Sequence, residues 1–483
     1  MDIGLLIGDR DVGAQSGATF ERKDPVTGLV ASRAAAAGVA DAKAACDAAA
    51  AAFPAWSATG PSAKRALLNK AADIMATMGA KFSEIITAET GAAVGWGHFN
   101  AAFAAGLLRE AAAMTTQITG EIIPSDKAGN FSMAVRRPVG VCLGIAPWNA
   151  PVILGVRSIA MALACGNTVV MKASEACPAT HRLIGQVMQE AGFPAGVVNV
   201  VTNAPQDAHL VVEALIAHPA VKRINFTGST RVGRIIAETA GRYLKPCLLE
   251  LGGKAPLIVL DDANLDDAVR AAAFSAFMHQ GQICMSAERI IVQDAIADQF
   301  IAKFKEKAAG LTAGDPRAGK NPLGAVVSVE AMNRVVELVD DAVAKGGKLV
   351  IGGKANGAIM DATIVDHVNP TMKIYAEESF GPSVSVIRVK DDEEALRIAN
   401  DTEYGLSSAI FGQNIDRCLG MAQKLNTGIC HINGPTVQDE GQIPFGGVGA
   451  SGYGRFGSKA SIGEFTDLRW ITIETHQHYP PGF

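Results

Sequence analysis

Apolar positions change their period along this chain. Over the first hundred residues they recur at helical spacing, and residues 34–55 and 62–78 both predict amphipathic helices. The second carries Leu67, Leu68, Ala71, Ile74 and Met75 on one face. Alanine is dense there, but charged side chains interrupt it regularly, so packed helices are expected and not a low-complexity tract. From Val139 onward short β-rich runs alternate with helical ones. Strands are predicted at 139–145, 168–172, 197–201, 223–226 and 247–249, with helices at 151–164, 179–191, 207–217 and 230–240 between them. This alternation predicts right-handed crossovers and a mostly parallel, doubly wound sheet. A second alternation follows Gly252, with helices over 265–279, 295–309 and 330–345 and strands over 289–292, 348–351 and 384–389. The closing run 470–475 reads as a strand in an extended arm.

A length of 483 residues exceeds what one core supports, and about two or three domains are expected. The net charge of −5 and the lack of a basic run give no reason to expect nucleic acid or an anionic membrane surface as partner. Residues 138–156 hold no charge, but three prolines, three glycines and Asn149 lie among them. A buried strand and turn entering a helix is expected there, not a membrane span. The eight cysteines are scattered without a CxxC pair. Small buried apolar thiols in a reducing cytoplasm are therefore expected, without a disulfide framework or a metal site.

Chemistry concentrates on a few turns. Cys284 lies in Gly281-Gln282-Ile283-Cys284-Met285-Ser286, 34 residues after Glu250 in Leu249-Glu250-Leu251-Gly252-Gly253-Lys254. A thiol nucleophile and a carboxylate base, each on a glycine-containing turn, permit two-step covalent catalysis. Taken singly, Cys284 also reads as a packed core thiol, Glu250 as a helix-cap partner and Asn149 as a turn former. Phe226-Thr227-Gly228-Ser229-Thr230 ends a strand and opens a helix, where backbone amides suit a pyrophosphate; its spacing is not GxGxxG, and a plain turn is the alternative. Lys172-Ala173-Ser174-Glu175 also ends a strand. A carboxylate there accepts ribose hydroxyls and repels a 2′-phosphate, which favours NAD over NADP; an exposed Lys–Glu helix start is the bland alternative.

These turns, with Pro147-Trp148-Asn149, Glu377-Glu378-Ser379-Phe380-Gly381-Pro382 and Pro444-Phe445-Gly446-Gly447 through Arg455, occur in one order over nearly the whole chain. Together they resemble the aldehyde dehydrogenase superfamily. The resemblance implies an α/β fold with a doubly wound NAD-binding domain (residues 1–116 and 136–250), a second α/β catalytic domain (251–435), a β oligomerisation arm (117–135 and 465–483) and a return segment lining the active site (436–464). It implies Cys284 as nucleophile, Asn149 as an oxyanion donor and Glu250 as the base that activates water against a thioester. Lys172, Ser174 and Glu175 are implied at the adenosine ribose and Gly228 and Ser229 at the pyrophosphate. Trp148 and Leu251 would line the nicotinamide site, and Glu378 and Phe380 would hold its ribose.

The same resemblance implies a small-molecule aldehyde as substrate and a homodimer or homotetramer. Ala150 stands where many relatives have a bulky aromatic, which widens the site for a planar ring. Arg157, within an apolar helix, needs a partner: either a ring hydroxyl or phenolate of the substrate, or an acid at a domain or subunit contact. Trp96, Ile283, Met285 and Phe445 complete the expected pocket wall. These features most resemble the salicylaldehyde and vanillin branch. An aliphatic or semialdehyde dehydrogenase is the alternative within the superfamily. CoA-acylating relatives generally lack the base found here as Glu250, and a non-catalytic binding protein would not need the intact Cys284, Glu250 and Asn149.

Overall fold

In the computed structural model, which describes residues 1–475, 479 and 482, two sheets dominate. The first is built on five parallel strands: β1 (Val141–Ile145), β2 (Thr168–Lys172), β3 (Val198–Val201), β4 (Val221–Thr227) and β5 (Cys247–Glu250). Their order across the sheet is β5-β4-β1-β2-β3, flanked by antiparallel Gly452–Tyr453 beside β5 and by Leu5–Ile7 and Arg10–Val12 beside β3. Every residue of β1 and β2 is buried, as is the whole helix Pro151–Ala164. Parallel strands covered on both faces have no solvent side, which is why they read as unbroken apolar runs.

The chain lays down β1, β2 and β3 outward, then returns to place β4 on the other side of β1. Strand order reverses at that point, and open α/β sheets bind ligands in the crevice beyond the carboxyl ends there. Trp148 and Asn149 follow β1, Gly228 and Ser229 follow β4, Glu175 follows β2, and Leu251 follows β5. Residues Leu251–Lys254 then join the first sheet to the second.

That second sheet contains β6 (Ala255–Val259), β7 (Ala287–Gln293), β8 (Thr363–Asp366), β9 (Ser383–Val389), β10 (Ser407–Phe411) and β11 (Ile429–Ile432). They are parallel in the order β8-β9-β7-β6-β10-β11, with Lys348–Ile351 antiparallel outside β8. A third, antiparallel sheet forms the arm: Thr466–Glu474 pairs along its full length with Asn130–Pro138, which pairs in turn with Glu121–Ile122. The arm predicted to reach 483 extends past these strands, and residues 476–478, 480, 481 and 483 lie outside the described residues.

Several expected boundaries move, and two of the shifts have a clear cause. The helix predicted from residue 34 begins at Val39, because Val30–Ala35 is a strand paired with Thr19–Lys23. Strand pairing overrides the helical preference of its small residues, and Asp41 starts the helix by accepting the Gly38 N–H at 2.9 Å. The helix predicted over 265–279 ends at Phe277, since His279 and Gln280 adopt left-handed φ values of 51° and 56°. Two helices the alanine-rich pattern did not delimit, Gly79–Thr90 and Val94–Met114, complete this region.

Candidate active site

The break after Phe277 serves the cysteine. Left-handed residues turn the chain sharply, and a Cβ on Gly281 would run into the carbonyl oxygen of Gly381. Only glycine allows that approach. The turn delivers Gln282, Ile283 and Cys284 to the start of β7, where the Gln282 carbonyl accepts a hydrogen bond from the Asn149 side-chain amide at 2.9 Å. One amide N–H is thereby fixed beside the cysteine turn and the second remains to donate elsewhere.

Cys284 opens onto a cavity of about 130 Å³, similar to engineered apolar cavities that take up benzene. Trp96, Phe99 and Phe103 from helix Val94–Met114 form one wall. Ala150, Ile153, Leu154 and Arg157 form another, and Phe274, Met278, Ile283 and Met285 a third. Val437, Asp439 and Phe445 close it from the segment after β11. Of the eight cysteines, Cys284 is the one that lines this space.

Glu250 ends β5 and is buried, and neither of its carboxyl oxygens has a hydrogen-bond partner. Burial pushes its pKa up to about 8, although the neighbouring Cys284 and the charge of Arg157 act in the opposite direction. Burial also pushes the Cys284 thiol well up, and the Glu250 carboxylate adds to that. At neutral pH the pair therefore rests with the thiol protonated and the carboxyl largely neutral. A carboxyl that ionises near the working pH suits a general base.

On the cofactor side, Lys172 forms an ion pair with Glu175, whose carboxylate also accepts the Asn203 amide at 2.9 Å. Burial pushes Glu175 up, but Lys172 and these hydrogen bonds outweigh it and leave the pKa below the ordinary carboxylate value. Glu175 thus stays charged at the carboxyl edge of β2. Ser229 caps the helix Thr230–Arg242. Leu251 packs so closely on Gly233 that a side chain there would collide with it. Glu378 accepts the Gly253 N–H at 2.9 Å, and burial lifts its pKa to about 7. Trp148 and Phe380 meet edge to face, 5.7 Å apart. A charged acid at one strand end, a helix start at another and a fixed carboxyl by the cysteine turn fit the ribose, pyrophosphate and second ribose of a dinucleotide.

All the predicted pocket residues, Trp96, Ala150, Arg157, Ile283, Met285 and Phe445, line the cavity. An acid is present for Arg157: it forms a buried ion pair with Asp439 and stacks over Phe445, 4.5 Å from the ring centre. Phe99 and Phe103 were not singled out, although their spacing from Trp96 on one helix is a legible aromatic stripe. Asp439 and Asn203 carried no signal. Neither did Glu288, whose carboxylate accepts the Ser379 and Phe380 amides at 3.0 Å and the Lys254 ammonium at 2.8 Å, fixing the turn that carries Glu378.

Comparison with known proteins agrees with this geometry. The aldehyde dehydrogenase family profile matches residues 12–471. A vanillin dehydrogenase from Pseudomonas sp. (strain HR199 / DSM 7063) is 59% identical over 99% of each chain. The crystal structure of a salicylaldehyde dehydrogenase from Pseudomonas putida G7 complexed with salicylaldehyde superposes with a TM-score of 0.98 at 51% identity, covering 99% of this chain and 100% of that one. PnpE from Pseudomonas sp. WBC-3, solved in complex with nicotinamide adenine dinucleotide, gives a TM-score of 0.96 at 39% identity over 100% of both chains. The chain belongs to the aldehyde dehydrogenase family.

Proposed function

We propose that this protein oxidises an aromatic aldehyde of the hydroxybenzaldehyde class to its carboxylic acid, with NAD as the hydride acceptor. The observation that carries the reading is a lone cavity-facing thiol beside an unpartnered, buried carboxyl, in a space sized for one aromatic ring. The 59% and 51% identities to a vanillin and a salicylaldehyde dehydrogenase support the substrate class.

Glu250 accepts the Cys284 proton, and the sulfur attacks the aldehyde carbon. The free amide N–H of Asn149 and the Cys284 backbone N–H stabilise the resulting oxyanion. Bound NAD would supply the hydride acceptor for the step in which the adduct on Cys284 becomes a thioester. Glu250 passes the thiol proton to solvent, then deprotonates the water that attacks the thioester; the C–S bond breaks, the acid departs and Cys284 regains a proton as the thiol. Lys172, Ser174, Glu175, Gly228 and Ser229 would hold the adenosine and pyrophosphate side, while Trp148, Leu251, Glu378 and Phe380 would hold the nicotinamide side. A fixed, charged Glu175 disfavours a 2′-phosphate, which supports NAD over NADP.

The assembly we assign is a homodimer or homotetramer in the cytoplasm. The arm supports it by presenting Trp470, Ile473 and Ile122 to solvent, at 74%, 53% and 74% exposure. No helix among the described residues is long and apolar enough to cross a membrane. Residues 1–116 and 136–250 form the NAD-binding domain in this reading, 251–435 the catalytic domain and 436–464 the return segment. The test is a panel of salicylaldehyde, vanillin, benzaldehyde and a short aliphatic aldehyde, each with NAD and with NADP. Tenfold or greater preference for the aliphatic aldehyde would overturn the aromatic assignment, and undiminished turnover by Cys284→Ser would overturn the mechanism.

A further inference from the structure

The cavity wall is apolar apart from the reacting groups and one polar pair, Arg157 and Asp439. Asp439 lies in the irregular segment after β11, and its Oδ2 takes the guanidinium of Arg157. Its Oδ1 is buried and has no hydrogen-bond partner. A buried carboxylate oxygen left unpaired is costly, and it can only accept. Arg157 is itself held over the Phe445 ring, so the carboxylate is fixed in place in the cavity wall with one oxygen unpaired. Both members of the pair act on the pKa of Glu250, which places them within electrostatic reach of the reacting groups.

We infer that Asp439 determines specificity, its free Oδ1 accepting the O–H of a hydroxyl on the substrate's aromatic ring. The inference rests on the aromatic-aldehyde reading and sharpens it. Arg157 then orients and charge-balances the acceptor, and the substrate supplies the donor that the folded chain lacks. An unsubstituted ring leaves Oδ1 unpaired. A methyl ether at the same ring position does so as well, because it has no proton to give. Sites built to bond a hydroxyl reject analogues without one more strongly than apolar pockets reject size changes.

The test compares kcat/KM for the three hydroxybenzaldehydes, their methyl ethers and benzaldehyde. The parent protein should prefer its best hydroxybenzaldehyde over the matching ether by about ten- to hundredfold, the range of a hydrogen bond to a charged group. In Asp439→Asn that ratio should fall tenfold or more. The double variant Arg157→Met with Asp439→Leu replaces the whole pair with apolar groups and strands no charge, and its ratio should fall likewise. A parent that treats hydroxyl and ether alike overturns the inference. So does a ratio preserved within twofold in both variants, since an acid that merely neutralised Arg157 would leave the hydroxyl preference intact. Absence of turnover on every aromatic aldehyde would instead defeat the substrate class itself.

Discussion

Replacing Glu250 by glutamine keeps the side-chain shape and removes the titration, so it separates two consequences of the buried carboxyl. In the native state Glu250 keeps its proton to about pH 8, whereas the ordinary carboxyl value is 4.5. Between those limits the unfolded chain binds fewer protons than the folded one, so the stability from this group falls as pH rises. At about 1.4 kcal/mol per pH unit the loss reaches at most ~5 kcal/mol. Glu250→Gln should therefore gain thermal stability over the parent as pH is raised from about 5 to about 8. Activity should move the other way. Parental kcat should climb with pH as Glu250 ionises and level off above about 8, and the variant should lose that limb together with about 10²- to 10⁴-fold in rate. The assays are thermal midpoints across pH and NADH formation measured at the same values. A variant within tenfold of parental kcat, with the rising limb unchanged, would refute the assignment of Glu250 as base. A midpoint difference that did not vary with pH would refute the raised pKa.

Asn149→Ala should cost about 10²- to 10³-fold in kcat by removing an oxyanion donor, with the far-UV spectrum unchanged; steady-state kinetics on the best aldehyde checks it. Glu175→Ala should narrow the kcat/KM preference for NAD over NADP at least tenfold, because the acid that repels a 2′-phosphate is gone. Trp470→Lys with Ile473→Glu should shift the protein to a smaller species in sedimentation velocity, since both are exposed apolar side chains of the arm strand, one on each of its faces.

Most of the parallel core was legible because strands buried on both faces must be continuously apolar. Val141–Ile145 and Thr168–Lys172 could hardly be anything else. The catalytic turns were legible because chemistry restricts residue type: a thiol, an acid and an amide at set separations have few other reasons to recur together. Local preference failed where long-range pairing decided the outcome. Ala34 and Ala35 favour a helix on their own, yet their partners lie on Thr19–Lys23. The break at His279 was hidden for a related reason, since the turn it opens runs on to Gly281, which sits against the carbonyl of Gly381, far along the chain. Asp439 was illegible altogether, because its meaning comes from Arg157, 282 residues away, and from a cavity that exists only after folding.

The strand beside Glu250 comes from the far end of the polypeptide. Gly452 and Tyr453 pair with Glu250 and Leu249, and Thr466–Glu474 pairs with residues synthesised more than three hundred positions earlier. During translation the early β-α units can begin to pack, but the base stays on an unprotected sheet edge until Gly452 and Tyr453 emerge. Contacts of such long range close slowly. A translation product that stops before Gly452 should therefore lack a finished catalytic centre, and would carry Cys284 without the strand that covers its base.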